Sequence, residues 1–236
     1  MAHDNGFFSD RTGRGVRVAI IDSGVHGAHP HVAGVSGGIR VCPDGTLSED
    51  YLDRLGHGTA VAAAIREKAP GTELFAVQVF VDSLTTRIET LARAIDWAAE
   101  NRARLINLSL GTNKQEHENT LLRAVERASA AGGIVVAAGE EAGTRWLPGS
   151  LPGVLPALLD WDCPRDEFRV ERRASGEIVF RASGYPRPIP GVPPERNLKG
   201  LSFAVANMTG FAARALELHP GSTFDDLVEQ LERAAL

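Results

Sequence analysis

The sequence predicts an α/β fold with a mostly parallel central sheet and helices on both faces. Two observations carry that expectation. Between residues 16 and 139, short apolar runs alternate with segments of helical periodicity, at lengths that suit βαβ crossovers. Those runs are apolar almost throughout, as strands buried on both faces must be, rather than alternating. A third observation bears on function. The runs lead into Asp22, Ser109–Gly111 and Gly139–Glu141, and sheets of this kind bind ligands at the carboxyl ends of their strands.

Val16–Asp22, ending in Asp-Ser-Gly, reads as the first strand. A polar, Gly-rich stretch with a turn at Asp44-Gly45 follows. His57 then opens a small-residue helix reaching about Lys68. Leu74–Phe80 is the next strand, and Ile88, Leu91, Ala92 and Ile95 mark a helix over 86–100. Leu105–Leu110 is a strand, Leu121, Leu122 and Val125 mark the helix after it, and Gly133–Ala138 is a further strand. Val154–Asp160 fits a strand, and 167–182 fits a hairpin turning at Ser175-Gly176. Five prolines make 183–197 a stiff loop. Leu201–Leu218 is apolar nearly all round, as a buried central helix would be. Ser222 to Asp225 fits a capping box for a last amphipathic helix carrying Leu227 and Leu231.

A chain of 236 residues, 43% hydrophobic, suits one compact domain over 1–236, with 1–11 as an N-terminal extension. The net charge of −5 and the lack of a Lys/Arg run argue against nucleic acid as a partner. No basic stretch followed by an apolar one opens the chain, and no apolar run approaches membrane length. Cys42 and Cys163 cannot build a disulfide framework, so the expected setting is the cytoplasm, with both thiols free. No acidic cluster has calcium-ligand spacing; neither metal nor cofactor is expected.

Three local patterns supply the groups that serine hydrolysis needs: a hydroxyl, a base within reach, and a carboxylate that orients the base. Asp22 ends a core strand. His57 sits in Gly-His-Gly-Thr at a helix start, where glycines let other chains approach closely. Ser202 opens the buried helix, whose partial positive charge favours an anion developing nearby. Each pattern alone has an ordinary structural reading: a turn-former, a helix-end histidine, an N-cap serine.

Together and in this order, they resemble the subtilisin-like (subtilase) serine proteases. RTGRGVRVAIIDSGVHGAHP (11–30) is similar to the family's Asp block, GHGTAVAAAI (56–65) to its His block, and GLSFAVANMTGFAARAL (200–216) to its Ser block. INLSLG (106–111) resembles the strand that pairs with substrate, and IVVAAGEE (134–141) the segment that floors the specificity pocket. The resemblance implies a three-layer sandwich with Ser202 as nucleophile, His57 as general base and then acid, and Asp22 as the orienting carboxylate. It also implies that Ser109, Leu110 and Gly111 bind the peptide main chain as an added strand. Ala137, Ala138 and Gly139 would line the pocket for the side chain before the cleaved bond.

Several positions depart from the family. Glu140 stands where relatives carry the oxyanion-hole asparagine, Leu201 replaces a threonine before the serine, and Ala206 replaces a proline. Three roles for Glu140 stay open. It points away while the Ser202 N–H and another donor act; it donates as a neutral acid; or the chain binds peptides without turnover. A register slip would leave Asn113 or Asn207 as the missing donor. No pro-segment is read before the core, and 62–75 leaves no room for the calcium loop usual after that helix. The expected function is a serine endopeptidase of narrow specificity for a dedicated peptide or leader-bearing partner. The nearest fit is to small subtilases that trim leaders, such as the one for the quinohemoprotein amine dehydrogenase subunit. The alternatives are a peptide-binding module using the same cleft and an esterase or ligase using the same acyl-enzyme.

Overall fold

The computed structural model describes residues 10–235, so most of the expected 1–11 extension lies outside the described residues. Nine strands form one sheet: β1 (Arg17–Asp22), β2 (Gly37–Val41), β3 (Leu47–Ser48), β4 (Glu73–Gln78), β5 (Leu105–Leu108), β6 (Ile134–Ala138), β7 (Val154–Leu159), β8 (Phe168–Arg172) and β9 (Ile178–Ala182). Their order is β3-β2-β4-β1-β5-β6-β7-β9-β8, with only the edge pairs β2–β3 and β8–β9 antiparallel. The helices are α1 (His57–Lys68), α2 (Ile88–Glu100), α3 (Glu118–Ala130), α4 (Leu201–Leu218) and α5 (Phe224–Ala234).

The three layers follow from the strand pattern. In β1, Val18 and Ile20 enter the core beneath α1, α4 and α5, while Ala19 and Ile21 enter the opposite core beneath α2 and α3. β6 divides likewise: Ile134, Val136 and Ala138 on one face, Val135 and Ala137 on the other. A period of two with apolar residues at every position therefore serves two cores at once. The chain reaches β4 on one side of β1 and then crosses to β5 on the other, so the connecting helices α1 and α2 take opposite faces. That reversal puts the end of β1 at the centre of the carboxyl edge.

Helix α4 is buried along most of its length and packs on α1 closely enough that a Cβ on Gly210 would lie 2.4 Å from the Lys68 Cβ. The hairpin forms as the sequence suggests, turning through Arg173–Glu177 with Gly176 at φ 87°. One expectation needs correction, and one stretch holds more structure than its sequence predicts. Strands β2 and β3 arise within the polar, Gly-rich stretch, joined by the turn expected at Asp44-Gly45. They lie at a half-exposed edge and include Gly37 and Gly38, so no apolar pattern announces them. The Tyr51 ring occupies the space a side chain at residue 38 would need. The capping box of α5 begins one residue later, at Thr223 with Asp226, because the Ser222 hydroxyl donates to the His219 carbonyl and closes the preceding turn.

Candidate active site

Asp22, the last residue of β1, is fully buried. Its Oδ1 accepts the Ser23 N–H at 2.7 Å and lies 2.7 Å from His57 Nδ1; Oδ2 makes no hydrogen bond. An acceptor-only carboxylate at that distance places the imidazole proton on Nδ1 and leaves Nε2 as the basic nitrogen. Burial disfavours the charged ring. The hydrogen bond from His57 to Asp22, with the charges of Asp22 and Asp53, outweighs it and raises the His57 pKa above 6.5.

His57 is held by a carboxylate that the sequence reading missed. Gly56, the N-cap of α1, has φ 84° and no side chain to cap with. Asp53 acts from outside the helix: Oδ1 accepts the Leu55 N–H (2.9 Å), the Gly56 N–H (2.8 Å) and the Ser23 hydroxyl (2.9 Å). Oδ2 accepts the Thr59 N–H (2.8 Å) and hydroxyl (2.5 Å). The Gly58 N–H in turn donates to Ser23 Oγ at 2.9 Å. A Cβ on residue 58 would lie 2.2 Å from the Gly24 carbonyl oxygen, so only glycine lets the start of α1 touch the end of β1.

Ser202 lies in the first turn of α4. Its hydroxyl donates to the Ser109 carbonyl at 3.0 Å, and the Ser109 hydroxyl donates to the Ser202 carbonyl at 2.9 Å. Behind this reciprocal pair, Asn107 Nδ2 donates to Ser109 Oγ (3.0 Å) and the Thr209 hydroxyl donates to Asn107 Oδ1 (2.9 Å). These bonds latch the end of β5 to α4. His57 and Ser202 line one cavity of about 470 Å³ with Ser109, Leu110 and Gly111, and the Phe203 and His57 rings lie 5.9 Å apart.

Ala137, Ala138 and Gly139 are buried at the end of β6. The segment 144–149 runs beside Gly111: Thr112 and Leu147 exchange backbone hydrogen bonds of 3.0 and 2.8 Å, and Trp146 Cε3 lies 3.8 Å from where a Gly111 Cβ would stand. Glu140 is half-buried, and its backbone carbonyl accepts from Arg173. Glu141 is held by Arg181 at 2.8 Å. Asn207 is excluded as the missing oxyanion donor. It is fully buried, and its amide donates to the Ser183 and Tyr185 carbonyls at 2.9 and 3.3 Å, tethering the proline-rich loop.

Asp53, Ser23, Asn107 and Thr209 are the residues that sequence reasoning overlooked. A lone amide within the buried run Leu105–Leu108 was a usable signal, since buried polar groups need partners. Asp53, four residues ahead of His57, was another. Among the described residues, no three His, Cys, Asp or Glu side chains converge as metal ligands, and no helix is long and apolar enough to cross a membrane.

A buried carboxylate, an imidazole bonded to it, and a serine opening the central helix, all presented by a parallel α/β sheet, are the set of groups that serine hydrolases use. The family model for the subtilases (Peptidase S8) matches residues 13–157, and the chain belongs to the subtilase family. It is 34% identical over 231 residues to subtilisin Savinase of Lederbergia lenta, covering 93% of this chain and 81% of that one. Subtilisin of Bacillus pumilus is 30% identical, over 99% of this chain and 86% of its own. A thermostable alkaline protease of Halalkalibacterium halodurans is 29% identical; this chain spans 64% of its length. The fold is that of Sphericase, with a TM-score of 0.74 at 24% identity, covering 94% of this chain and 84% of that one.

Proposed function

We propose that this chain is a serine endopeptidase acting through an acyl-enzyme at Ser202. The 2.7 Å contact between buried Asp22 Oδ1 and Nδ1 of His57, which lines one cavity with Ser202, carries this reading. Ser202 Oγ attacks the peptide carbonyl as its proton passes to His57 Nε2. Collapse of the tetrahedral intermediate breaks the C–N bond, and the leaving amine takes that proton. Water then gives a proton to Nε2 and its oxygen to the acyl carbon, and Ser202 leaves with the proton returned. Asp22 stabilises the imidazolium at both stages. Ser109–Gly111 pair with the substrate backbone, and Ala137–Gly139 border the pocket for the residue before the bond.

Turnover is slow and selectivity narrow on this reading, directed at a dedicated peptide or leader. Support comes from Glu140 in the place of an amide donor and from a cavity whose apolar wall (Phe80, Leu84, Ile88, Leu91) demands matching side chains. Fluorophosphonate labelling with intact mass tests the chemistry. One adduct is expected on the wild type and none on Ser202→Ala or His57→Ala; a folded wild type without an adduct would leave a peptide-binding module. Rapid digestion of unrelated denatured proteins would refute the narrow selectivity.

A further inference from the structure

A second cavity, of about 280 Å³, opens on the other flank of α1. Gly56 and Thr59, on either side of His57, form part of it, as do Asn197 and Leu198, just ahead of Ser202. Ser109–Gly111, which hold the acyl side of a substrate on the peptidase reading above, belong to the first cavity. The second therefore faces the leaving-group side. Its polar lining is lopsided: His26, His29, His31, Arg187 and Asn197 against a single acid, Asp53. Both Asp53 oxygens are already occupied by five hydrogen bonds. Arg187 Nη1 donates to the His31 carbonyl at 3.0 Å, and the His29 and His31 rings meet edge-on at 5.2 Å.

We propose that this cavity is a subsite for a carboxylate downstream of the cleaved bond, either an acidic side chain or the C-terminal carboxylate of a short substrate. His29 Nδ1 accepts the His31 N–H, which puts its proton on Nε2; that N–H and the Arg187 N–H groups other than the one on the His31 carbonyl match an anion, and charge-assisted hydrogen bonds are the strong ones. Burial first, then the neighbouring Arg187 and His29, lower the His31 pKa against the smaller opposing effect of Glu67. Ile189 and Leu198, both exposed, give the cavity an apolar rim for the chain that carries such a carboxylate.

The inference rests on the peptidase reading, so binding is measured apart from turnover. Folded Ser202→Ala is titrated with acetyl-Ala-Glu-Ala-amide, acetyl-Ala-Gln-Ala-amide and acetyl-Ala-Ala with a free carboxylate, following the histidine Cε1–H resonances. The Glu peptide or the free-acid peptide is expected to bind about tenfold tighter than the Gln peptide, and whichever does so identifies the source of the carboxylate. That preference should shrink in Ser202→Ala/Arg187→Gln and in Ser202→Ala/His29→Gln, and survive Ser202→Ala/Arg187→Lys. Equal binding of all three peptides overturns the subsite, whatever the wild type does. Separately, wild-type hydrolysis of p-nitrophenyl acetate, which has no downstream peptide, reports the peptidase reading. Its absence, with no fluorophosphonate adduct, would sink that reading while the titration still decides the pocket.

Discussion

The Ser202 hydroxyl donates to the Ser109 carbonyl oxygen at 3.0 Å, and not to His57. The nucleophile is parked on the backbone group that a bound substrate strand is expected to engage, so the hydroxyl must rotate toward Nε2 before it can react. The Asn107–Thr209 pair behind it fixes where that rotation starts.

Replacing Asn107 by alanine removes the amide that joins the Ser109 and Thr209 hydroxyls and leaves them only the Ser202 and Val205 carbonyls as partners. Stability should fall by about 1–2 kcal/mol, the net worth of the two side-chain hydrogen bonds lost, read as a lower denaturant midpoint. Because the latch sets the position of Ser202, kcat should fall more than KM rises. An unchanged kcat in the folded variant would show that the latch is only structural.

Asp22→Asn keeps the shape of the site and reverses its hydrogen bonding, since an amide NH₂ facing Nδ1 moves the imidazole proton to Nε2. In other triads the same reversal costs about 10⁴ in kcat. A similar loss is expected here, with fluorophosphonate labelling slowed in parallel.

His57 titrates above 6.5 in the folded chain. The base must be neutral to accept a proton, so kcat/KM should rise with pH through a pKa above 6.5. The stability effect has the opposite sense. A raised folded-state pKa adds stability that is fully present below the unfolded value and lost as pH rises through the folded one. The wild type should therefore gain most over His57→Gln in acid-side denaturation curves, and the gap should narrow in alkaline ones. A gap that widens with pH would contradict the Asp22 pairing.

Glu140→Asn restores an amide donor where relatives have one. Loss of that donor in subtilisin costs about 10²–10³ in turnover, so a rise in kcat of up to about 10² is expected, with KM little changed. No gain would mean that another group already serves the oxyanion.

Trp146 stands beside Gly111, and the 106–111 strand is expected to wall the pocket for the residue before the bond as well as to hold the substrate backbone. The wild type should favour small residues there. Trp146→Gly should shift cleavage toward Leu and Phe, as scored by mass spectrometry on a peptide library. A library profile identical to that of the wild type would place Trp146 outside the pocket.

Helix α1 shows how far local pattern reaches. Its limits, His57 and Lys68, follow from Gly56 before it and the small-residue run within it, both local features. The β2–β3 edge could not be read that way. Its residues bury little and include two glycines, and Gly38 is required by the Ala76 carbonyl of the neighbouring strand and then by the ring of Tyr51, neither of them a local neighbour. Asn207 shows the same limit at the site: the sequence offered it as an oxyanion donor, and tertiary contacts give its amide to the Ser183 and Tyr185 carbonyls.

The sequence by itself determined the alternating α/β layers, the elements that carry Asp22, His57 and Ser202, and the departure at Glu140. These depend on periodicity and motif, which are properties of neighbours in the chain. Only the tertiary structure decided that Asp53 fastens α1, that Ser202 rests on Ser109, and that three histidines and Arg187 share a cavity beside His57. Each joins segments brought together by packing, and hydrogen bonds and electrostatic fields act through space without regard to separation along the chain.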